Sequence, residues 1–175
     1  TSMDGVDAAL IETDNDSIQL IDTHSHKIPD ELRDTLAQLI NNPFSCNIDL
    51  LGKANAELGN LFAEAALELC AKSNITPQEV NAIGSHGQTI RHRTDLAHKF
   101  SLQIADPSRI AYRSGITTVA DFRSKDIAAG GQGAPLAPAF HKHLFSSNEE
   151  NRAILNIGGI ANLTCLPCDN NHVSG

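Results

Sequence analysis

The stretch "NAIGSHGQT" (Asn81–Thr89) sets a short apolar run directly before a turn that carries a histidine, a glutamine and a threonine among glycines. Just ahead of it, "TPQE" (Thr76–Glu79) combines a capping box with proline at the first helical position, which predicts that a short helix begins there. The apolar run "NAIG" then predicts a short buried strand. A strand that follows a helix and ends in a glycine turn is typical of a layered α/β domain.

Elements of the same two kinds lie upstream. "VDAALIE" (Val6–Glu12) and "SIQLIDT" (Ser17–Thr23) have the length and apolar content of strands, and the polar "TDND" between them predicts a hairpin turn. "DELRDTLAQLI", after Pro29, predicts a short helix. Between Asp49 and Lys72, apolar residues recur at steps of three and four, which predicts a longer amphipathic helix with one buried stripe.

The alternation continues downstream of the quoted stretch. Asp106-Pro107 predicts the start of another helix, which Gly115 can end in a left-handed conformation, and "ITTVAD" after it predicts a strand. "RAILNIG" (Arg152–Gly158) and "ANLTCL" (Ala161–Leu166) predict two more strands around a tight glycine turn. Strands that alternate with helices in this way predict an α/β fold.

Composition limits the class of protein. The chain has 175 residues, of which 41% are hydrophobic and 19% charged, as expected of one globular domain with a substantial core. The formal net charge of −8 disfavours binding to nucleic acid or anionic lipid, so any bound phosphate must be held locally. The sequence has no run of about 18 apolar residues and no signal-peptide order of basic then apolar residues, so we expect no membrane insertion and a cytoplasmic protein.

The cysteines and the two ends of the sequence carry further expectations. Four cysteines in an acidic chain of this length predict reduced thiols rather than a disulfide scaffold. The sequence starts on Thr1, within a turn-like "TSMDG", and stops on Gly175 soon after a predicted strand pair. We therefore expect the chain to be part of a longer protein.

Four turns rich in glycine or hydroxyl groups stand at predicted strand ends: "TSMDG", "GSHGQT", "AAGGQGAP" and "NIGGIAN". Backbone N–H groups in such turns can reach a phosphate, because glycine removes the Cβ obstacle. Ligands of open α/β sheets bind at this edge. The four turns together favour an anion-binding cleft, although the sequence contains neither a GxxxxGK[ST] nor a GxGxxG motif.

Two polar segments have side chains suited to phosphate or sugar. In "TSMDG", Thr1 and Ser2 offer hydroxyls to phosphate oxygens, and Asp4 can hold Mg²⁺ directly or through water. "DFRSKD" (Asp121–Asp126) supplies an arginine and two carboxylates, which can orient a sugar hydroxyl or carboxylate. An Asx turn in the first segment and a solvated ion-pair cluster in the second stay open as alternatives.

The histidines and the last two cysteines raise the question of a metal. The histidines considered as ligands are His24, His26, His86, His92, His98, His141 and His143. The HExxH motif is absent, the spacings are irregular, and no nearby carboxylate pattern fixes a site, so the sequence does not predict a catalytic zinc. Cys165 and Cys168 form a lone CxxC without a second ligand pair at the usual spacing, and we expect them to be loop cysteines.

Four runs of the sequence resemble the anhydro-N-acetylmuramic acid kinases of peptidoglycan recycling. They are "TSMDGVDAALIE", "AIGSHGQTIRH", "VADFRSKDIAAGGQGAPLAPAFH" and "ILNIGGIANLT", and the likeness in order and spacing extends over the whole chain. That family belongs to the superfamily of sugar kinases, heat-shock chaperones and actin, whose two lobes close over ATP. The resemblance implies a ribonuclease-H-like ATPase lobe, a mixed sheet flanked by helices and incomplete at both ends, with residues 1–175 as the N-terminal lobe.

The resemblance also implies a coupled reaction. ATP, water and 1,6-anhydro-N-acetylmuramic acid give N-acetylmuramic acid 6-phosphate and ADP. A carboxylate activates water to attack C1, the 1,6 bridge opens, and O6 takes the γ-phosphoryl group, while Mg²⁺ and backbone donors stabilise charge. The implied ATP-binding residues are Thr1, Ser2, Asp4, Gly5, Asn156, Gly158 and Gly159, with Asp4 serving Mg²⁺. The implied sugar-binding residues are His86, Gln88, Thr89, Asp121 and Arg123.

Two departures from the family's pattern bear on activity. The family has a strand and a glycine ahead of "TSMDG", and its water-activating aspartate lies in a "DxGPGN" segment expected just past Gly175. No catalytic base is therefore expected within the chain, where Asp121 is a weaker candidate better suited to bind substrate. The resemblance predicts no kinase turnover from these 175 residues alone. Apolar surface that lacks its second lobe predicts association, such as a homodimer.

Three alternatives stay open. Another sugar kinase of the same superfamily would share the phosphate turns and differ in "SHGQT" and "DFRSKD". A metal-dependent hydrolase would use the histidines, against which the ligand spacing argues. A non-catalytic sugar-binding module would fit a chain without a catalytic base. Under the favoured interpretation, the partners are ATP and a small amino sugar, with neither nucleic acid nor membrane involved.

Overall fold

The computed structural model describes residues 3, 5–14, 17–42, 47–157 and 161–168. These residues form eight strands and five α-helices, with a 3₁₀ turn at Pro77–Glu79. The strands are β1 (Gly5–Thr13), β2 (Ile18–Lys27), β3 (Ile83–Ser85), β4 (Gln88–Arg93), β5 (Phe100–Ile104), β6 (Thr118–Ala120), β7 (Arg152–Ile157) and β8 (Ala161–Leu166). The helices are α1 (Asp30–Asn41), α2 (Ile48–Lys72), α3 (Pro107–Ser114), α4 (Ser124–Ala128) and α5 (Ala137–Phe145). None of the described helices is long and apolar enough to cross a membrane.

The strands of the described residues pair two by two. β1 and β2 form an antiparallel hairpin whose register shifts between Leu10 and Ile11, and β4–β5 and β7–β8 are also antiparallel. β3 and β6 pair in parallel, with Ser85 opposite Ala120. The expected α/β class is confirmed as a mixture of helices and strands. The expected single mixed sheet is not formed by the described residues, in which β3 and β6 have only three residues each and bridge no hairpin.

Most predicted elements lie where the sequence places them. The first hairpin, α1, α2, α3 and the last two strands are confirmed, and Gly115 ends α3 with a φ of 72°. The capping box is present, because the Thr76 N–H donates to Glu79 Oε2 at 2.7 Å, but it starts only a 3₁₀ turn. Gln88 and Thr89, predicted as part of the turn "SHGQT", instead begin β4, and the sequence did not predict the hairpin of β4 and β5.

α2 is the central helix of the core. Asn47 caps its start, since the Asn47 side chain accepts the Asp49 N–H at 2.8 Å. The apolar stripe predicted from the sequence is the buried face of this helix, and it packs with α1, the first hairpin and β4–β5. Leu36, Leu58 and Ile110 are 0% exposed at the centre of this cluster. Burial of apolar surface of this kind is the main stabilising contribution to a fold.

Gly59 is the point at which α3 crosses α2. A Cβ at this position would stand 2.8 Å from the Asp106 carbonyl oxygen and 3.0 Å from the Asp106 nitrogen. Asn55, one turn earlier on α2, accepts the Asp106 N–H with its carbonyl at 3.1 Å and the Ala105 N–H with its side chain at 3.0 Å. The end of β5 and the start of α3 are therefore tied to α2 by backbone contacts.

We expect Gly59→Ala to lower the free energy of unfolding by about 1–3 kcal/mol, because the added methyl group would force the Asp106 backbone to shift. Gly52→Ala in the same helix is the matched control, since a Cβ there meets nothing within 4 Å. The control should stabilise the protein by about 0.5–1 kcal/mol through helix propensity alone. Urea denaturation of both variants measures the difference, and equal effects would contradict the close crossing.

Candidate functional site

A cleft of about 230 Å³, lined by both polar and apolar groups, opens where β3 and β6 end. Because these strands are parallel, their carboxyl ends meet at one edge, which places His86 and Asp121 side by side after Ser85 and Ala120. The lining residues come from the two strand ends, β5, α2 and the start of α4. They are Asn55, Ser85, His86, Gly87, Ser101, Leu102, Gln103, Ile104, Ala105, Pro107, Ala120, Asp121 and Ser124.

Gly87 produces the sharp turn between β3 and β4. Its φ is 72°, in the left-handed region that glycine adopts without a steric penalty. A Cβ here would also stand 2.7 Å from the Ile104 carbonyl oxygen of β5. The sequence feature that suggested a ligand turn is therefore first of all a packing requirement, and it leaves the preceding His86 at the mouth of the cleft.

His86 is held by Arg123, which lies 37 residues further along the chain. The Arg123 Nε and Nη2 groups both donate to His86 Nε2, at 2.9 and 2.8 Å. The other ring nitrogen, Nδ1, lies 2.8 Å from the Gly87 carbonyl oxygen. Both sets of contacts are satisfied by one tautomer, in which Nδ1 carries the proton and Nε2 accepts. Arg123 therefore fixes the orientation and the tautomer of the imidazole.

The glycine segment 130–133 wraps around Arg123. Arg123 Nη1 donates to the Gly133 carbonyl oxygen, and Asp126 Oδ2 accepts the Gly133 N–H at 2.7 Å. A Cβ on Gly131 would lie 2.2 Å from Asp126 Oδ2, so a larger residue there would require the carboxylate to move. The N–H groups of Gly130 and Gly131 bond to carbonyls of α4. The predicted anion-binding turn "AAGGQGAP" thus uses the N–H groups of Gly130, Gly131 and Gly133 internally, and its Gly133 carbonyl holds Arg123.

Asp121 faces the cleft in a strained backbone conformation. Its φ is 56°, which aspartate tolerates better than most residues. Its Oδ1 accepts the Ser124 N–H at 3.2 Å, at the start of α4. The carboxylate is exposed, so it can also accept hydrogen bonds from a ligand hydroxyl. This geometry fits the substrate-binding role predicted for Asp121.

Gln88 and Thr89 are on β4 and do not line the cleft. Gln88 is only 7% exposed, and its amide donates to the Thr89 carbonyl at 3.2 Å. Thr89 Oγ1 accepts from the Gln103 amide at 3.2 Å, and Gln103 does line the cleft. Of the five predicted sugar residues, His86 and Asp121 therefore line the cleft, and Arg123 contacts His86 without being part of the lining. Gln88 and Thr89 lie outside the lining, and Thr89 bonds to Gln103.

Ser85 is a cleft residue that sequence reasoning did not single out. It is 5% exposed, and its hydroxyl oxygen has no hydrogen-bond partner among the described residues. A buried hydroxyl without a partner costs about 1–3 kcal/mol. Ser85 lines the cleft, but its hydroxyl oxygen is itself buried, so a ligand in the cleft reaches it only when neighbouring atoms move. The sequence feature that could have identified Ser85 as a cleft residue is its position at the end of a predicted strand, just before a glycine turn.

The predicted ATP-binding residues are only partly described. Gly5 begins β1 opposite Lys27, and Asn156 is an exposed residue of β7 opposite Asn162. The predicted residues Thr1, Ser2, Asp4, Gly158 and Gly159 lie outside the described residues. The two phosphate turns and the assignment of Mg²⁺ to Asp4 therefore stay predictions.

A larger surface cavity, of about 490 Å³, lies on the other side of α3. Its charged groups are engaged in surface ion pairs, Arg109 with Asp106 at 3.4 Å and Arg113 with Glu64 at 2.8 Å. None of the predicted sugar residues lines it. The His86 cleft is therefore the better candidate for the functional site, despite its smaller volume.

The fold and the cleft define an α/β protein with a candidate ligand site at the carboxyl ends of two parallel strands. The family model described as anhydro-N-acetylmuramic acid kinase matches residues 1–175. Relatives of that name are 51% identical over 175 residues in Shewanella pealeana, 52% over 175 residues in Shewanella sediminis, and 53% over 169 residues in Coxiella burnetii. The chain belongs to the anhydro-N-acetylmuramic acid kinase family.

The matches cover nearly all of this chain but less of the relatives. They include 100% of the chain for both Shewanella proteins and 97% for the Coxiella protein. The corresponding shares of the relatives are 47%, 47% and 45%. The chain thus spans slightly less than half the length of the curated relatives it matches.

Proposed function

We propose that the complete gene product carrying this chain is an anhydro-N-acetylmuramic acid kinase. It uses ATP and water to convert 1,6-anhydro-N-acetylmuramic acid into N-acetylmuramic acid 6-phosphate, with Mg²⁺ as cofactor, in the cytoplasm and in the recycling of peptidoglycan. The observation that carries this proposal is the family match over residues 1–175. In the same proposal, the chain is the N-terminal lobe of a two-lobed, actin-like sugar kinase with a ribonuclease-H-like core.

The geometry of the cleft supports a sugar as its ligand. Sugar hydroxyls need both donors and acceptors, and the cleft offers two acceptors, the Asp121 carboxylate and the Gln103 amide oxygen, since both N–H groups of that amide bond to Thr89 and Ser101. Arg123 uses three of its five N–H groups on His86 and Gly133, which leaves two for a sugar hydroxyl or carboxylate. Glycan recognition by a few fixed polar groups of this kind gives orientation and specificity.

The steps of the reaction are divided between this cleft and other parts of the protein. Both ring nitrogens of His86 are engaged, by Arg123 and by the Gly87 carbonyl, so within the proposal His86 holds Arg123 in one geometry and Arg123 binds and orients the sugar. Asp121 accepts from a ring hydroxyl rather than activating water. The water-activating aspartate is expected after Gly175, and Mg²⁺ would neutralise charge on the transferred phosphoryl group. These assignments predict that residues 1–175 alone release no ADP in response to the anhydro sugar.

The exposed face of β7–β8 fits the proposed two-lobed architecture. Leu155, Ile157 and Leu163 are 58%, 74% and 50% exposed on this hairpin. Apolar side chains clustered at the surface are typical of contact regions. Within the proposal, this face contacts the second lobe; a homodimer through the same face stays a prediction.

A comparison of substrates tests the proposed function against another sugar kinase. ADP release by the complete gene product is measured with Mg²⁺-ATP and one of three sugars: 1,6-anhydro-N-acetylmuramic acid, N-acetylmuramic acid or N-acetylglucosamine. We expect ADP release only with the anhydro sugar. Turnover of either reducing sugar at a similar kcat/KM would favour another kinase of the superfamily, and sugar binding without ADP release would favour a binding module.

A further inference from the structure

A second cluster of polar side chains lies outside the cleft, between β2 and α2. Alternate residues of β2 place Asp22, His24 and His26 on one face of the strand. Residues four apart on α2 place Glu68 and Lys72 on one face of the helix. The two faces meet, so these five side chains form one cluster that spans two elements of the fold.

One carboxylate oxygen of Glu68 contacts a ring nitrogen of each of the two histidines. His24 Nε2 lies 2.8 Å and His26 Nδ1 lies 2.7 Å from Glu68 Oε2. The ligating atoms of the three residues all lie within 4.8 Å of one another. These contacts, that of His26 first, lower the pKa of the Glu68 carboxyl. Two ring nitrogens and a carboxylate oxygen therefore lie close enough together to contact one ion.

Lys72 donates its hydrogen bonds to residues of β2 rather than to the Glu68 carboxylate. Although it stands four residues later on the helix, its ammonium group donates to Asp22 Oδ1 at 2.8 Å and to the Thr23 carbonyl at 2.7 Å. The cluster is also accessible, since the side chains of His24, His26 and Glu68 are 25%, 20% and 51% exposed. An ion can thus reach the three groups from solvent without displacing a lysine.

We propose that His24, His26 and Glu68 form a binding site for Zn²⁺ or a similar divalent transition metal. Two imidazoles and one carboxylate are a ligand set suited to Zn²⁺, with water in the fourth position, whereas Mg²⁺ and Ca²⁺ prefer oxygen ligands alone. Tetrahedral ligands at about 2.0–2.1 Å from zinc are about 3.3 Å apart. The observed 2.7 and 2.8 Å separations need to widen by about 0.5 Å, which side-chain rotation supplies.

The proposed metal would connect the first hairpin to the central helix. Glu68 lies 42 residues after His26, so the ion closes a link between β2 and α2 that the sequence spacing alone does not reveal. An ion that binds only the folded state stabilises the protein by mass action. The site is separate from the His86 cleft, and none of its three residues lines that cleft.

The experiment loads the metal-stripped complete gene product with Zn²⁺, or with Co²⁺ as a spectroscopic probe. Equilibrium dialysis is expected to give one zinc per chain at this site, the Co²⁺ form should show the visible absorption of a tetrahedral complex, and zinc should raise the melting temperature Tm. We expect His24→Gln, His26→Gln and Glu68→Gln each to weaken zinc binding at least tenfold and to abolish the rise in Tm.

His98→Gln is the matched control, because His98 is an exposed loop histidine outside the cluster. It should keep the zinc affinity and the rise in Tm of the unchanged protein. Glu68→Gln keeps a hydrogen-bond acceptor for both histidines, so it tests ligation with the local packing retained, and its circular dichroism should match that of the unchanged protein. Absence of zinc binding, or zinc binding of equal strength in all four variants, would overturn the proposal.

Discussion

Replacing Gly87 by alanine is expected to lower the free energy of unfolding by about 2–5 kcal/mol. Two effects add up at this position. An alanine at a φ of 72° carries the cost of the left-handed conformation, and its Cβ would stand 2.7 Å from the Ile104 carbonyl oxygen. The backbone of β5 must shift to make room, and Gln103 and Ser101 of the cleft lie on that strand.

Gly115→Ala is the matched control for Gly87→Ala. Gly115 has the same φ of 72°, but a Cβ there meets nothing within 4 Å. It should therefore show only the conformational cost, about 1–2 kcal/mol. Urea denaturation of the two variants isolates the contact with β5. Equal losses of stability would mean that the turn has room for a side chain and that the glycine of "SHGQT" is not required by packing.

Replacing Arg123 by alanine is expected to reduce kcat/KM for the anhydro sugar by about 100-fold or more, within the proposed function. The substitution removes the two donors to His86 Nε2 and the donor to the Gly133 carbonyl. Hydrogen bonds to charged groups contribute about 1.5–3 kcal/mol each, and about 1.4 kcal/mol corresponds to a factor of ten. The imidazole also loses the contact that selects its tautomer.

Arg123→Lys separates charge from geometry. Lysine keeps the positive charge but lacks the planar guanidinium group, whose two N–H donors both bond to His86 Nε2. We expect this variant to keep little of the lost activity and to raise KM for the sugar while KM for ATP stays unchanged. Arg93→Ala is the control, because Arg93 forms an exposed pair with Asp95 at 2.9 Å outside the cleft. Full activity of Arg123→Lys would contradict the positioning role.

The elements predicted correctly from the sequence are those whose apolar residues carry a clear period. α2 repeats its apolar residues at helical spacing, and the buried side of the helix follows that repeat. Pro107 and Gly115 mark the start and end of α3 by chain geometry alone, without reference to other parts of the fold. Such signals are local, so a single sequence contains them in full.

β4 and β5 were not predicted, because their alternating buried and exposed positions are occupied partly by polar residues and so show no clear apolar period. β4 reads "QTIRHR", with Gln88 and Ile90 buried, and β5 reads "FSLQI". Arg91 faces α1, where its guanidinium donates to the carbonyls of Leu39 and Ile40 at 3.0 and 3.1 Å. The hydrogen-bond partners of the Arg91 side chain lie at the end of a helix about fifty positions earlier in the chain. A single sequence does not show such a distant partner, so the pattern around Arg91 is typical of an exposed loop.

The site was predicted in part for the same reason. His86 and Asp121 follow short predicted strands, and the carboxyl ends of parallel strands meet, so their proximity is open to sequence reasoning. The contacts of Arg123 with His86, and of Asp126 with Gly133, depend on the path of the loop between them. Glu68 joins His24 and His26 only through the packing of α2 on β2. Periodicity indicates which face of a helix is buried, but it does not indicate which strand that face contacts.

The most direct test of the proposed activity is the mass of the product. The complete gene product is incubated with Mg²⁺-ATP and 1,6-anhydro-N-acetylmuramic acid, and the sugar products are identified by mass spectrometry. The coupled reaction predicts a sugar that has gained one water and one phosphoryl group, formed in equal amount to ADP. An anhydro sugar that is recovered unchanged, or a product that has gained water without a phosphoryl group, would contradict it.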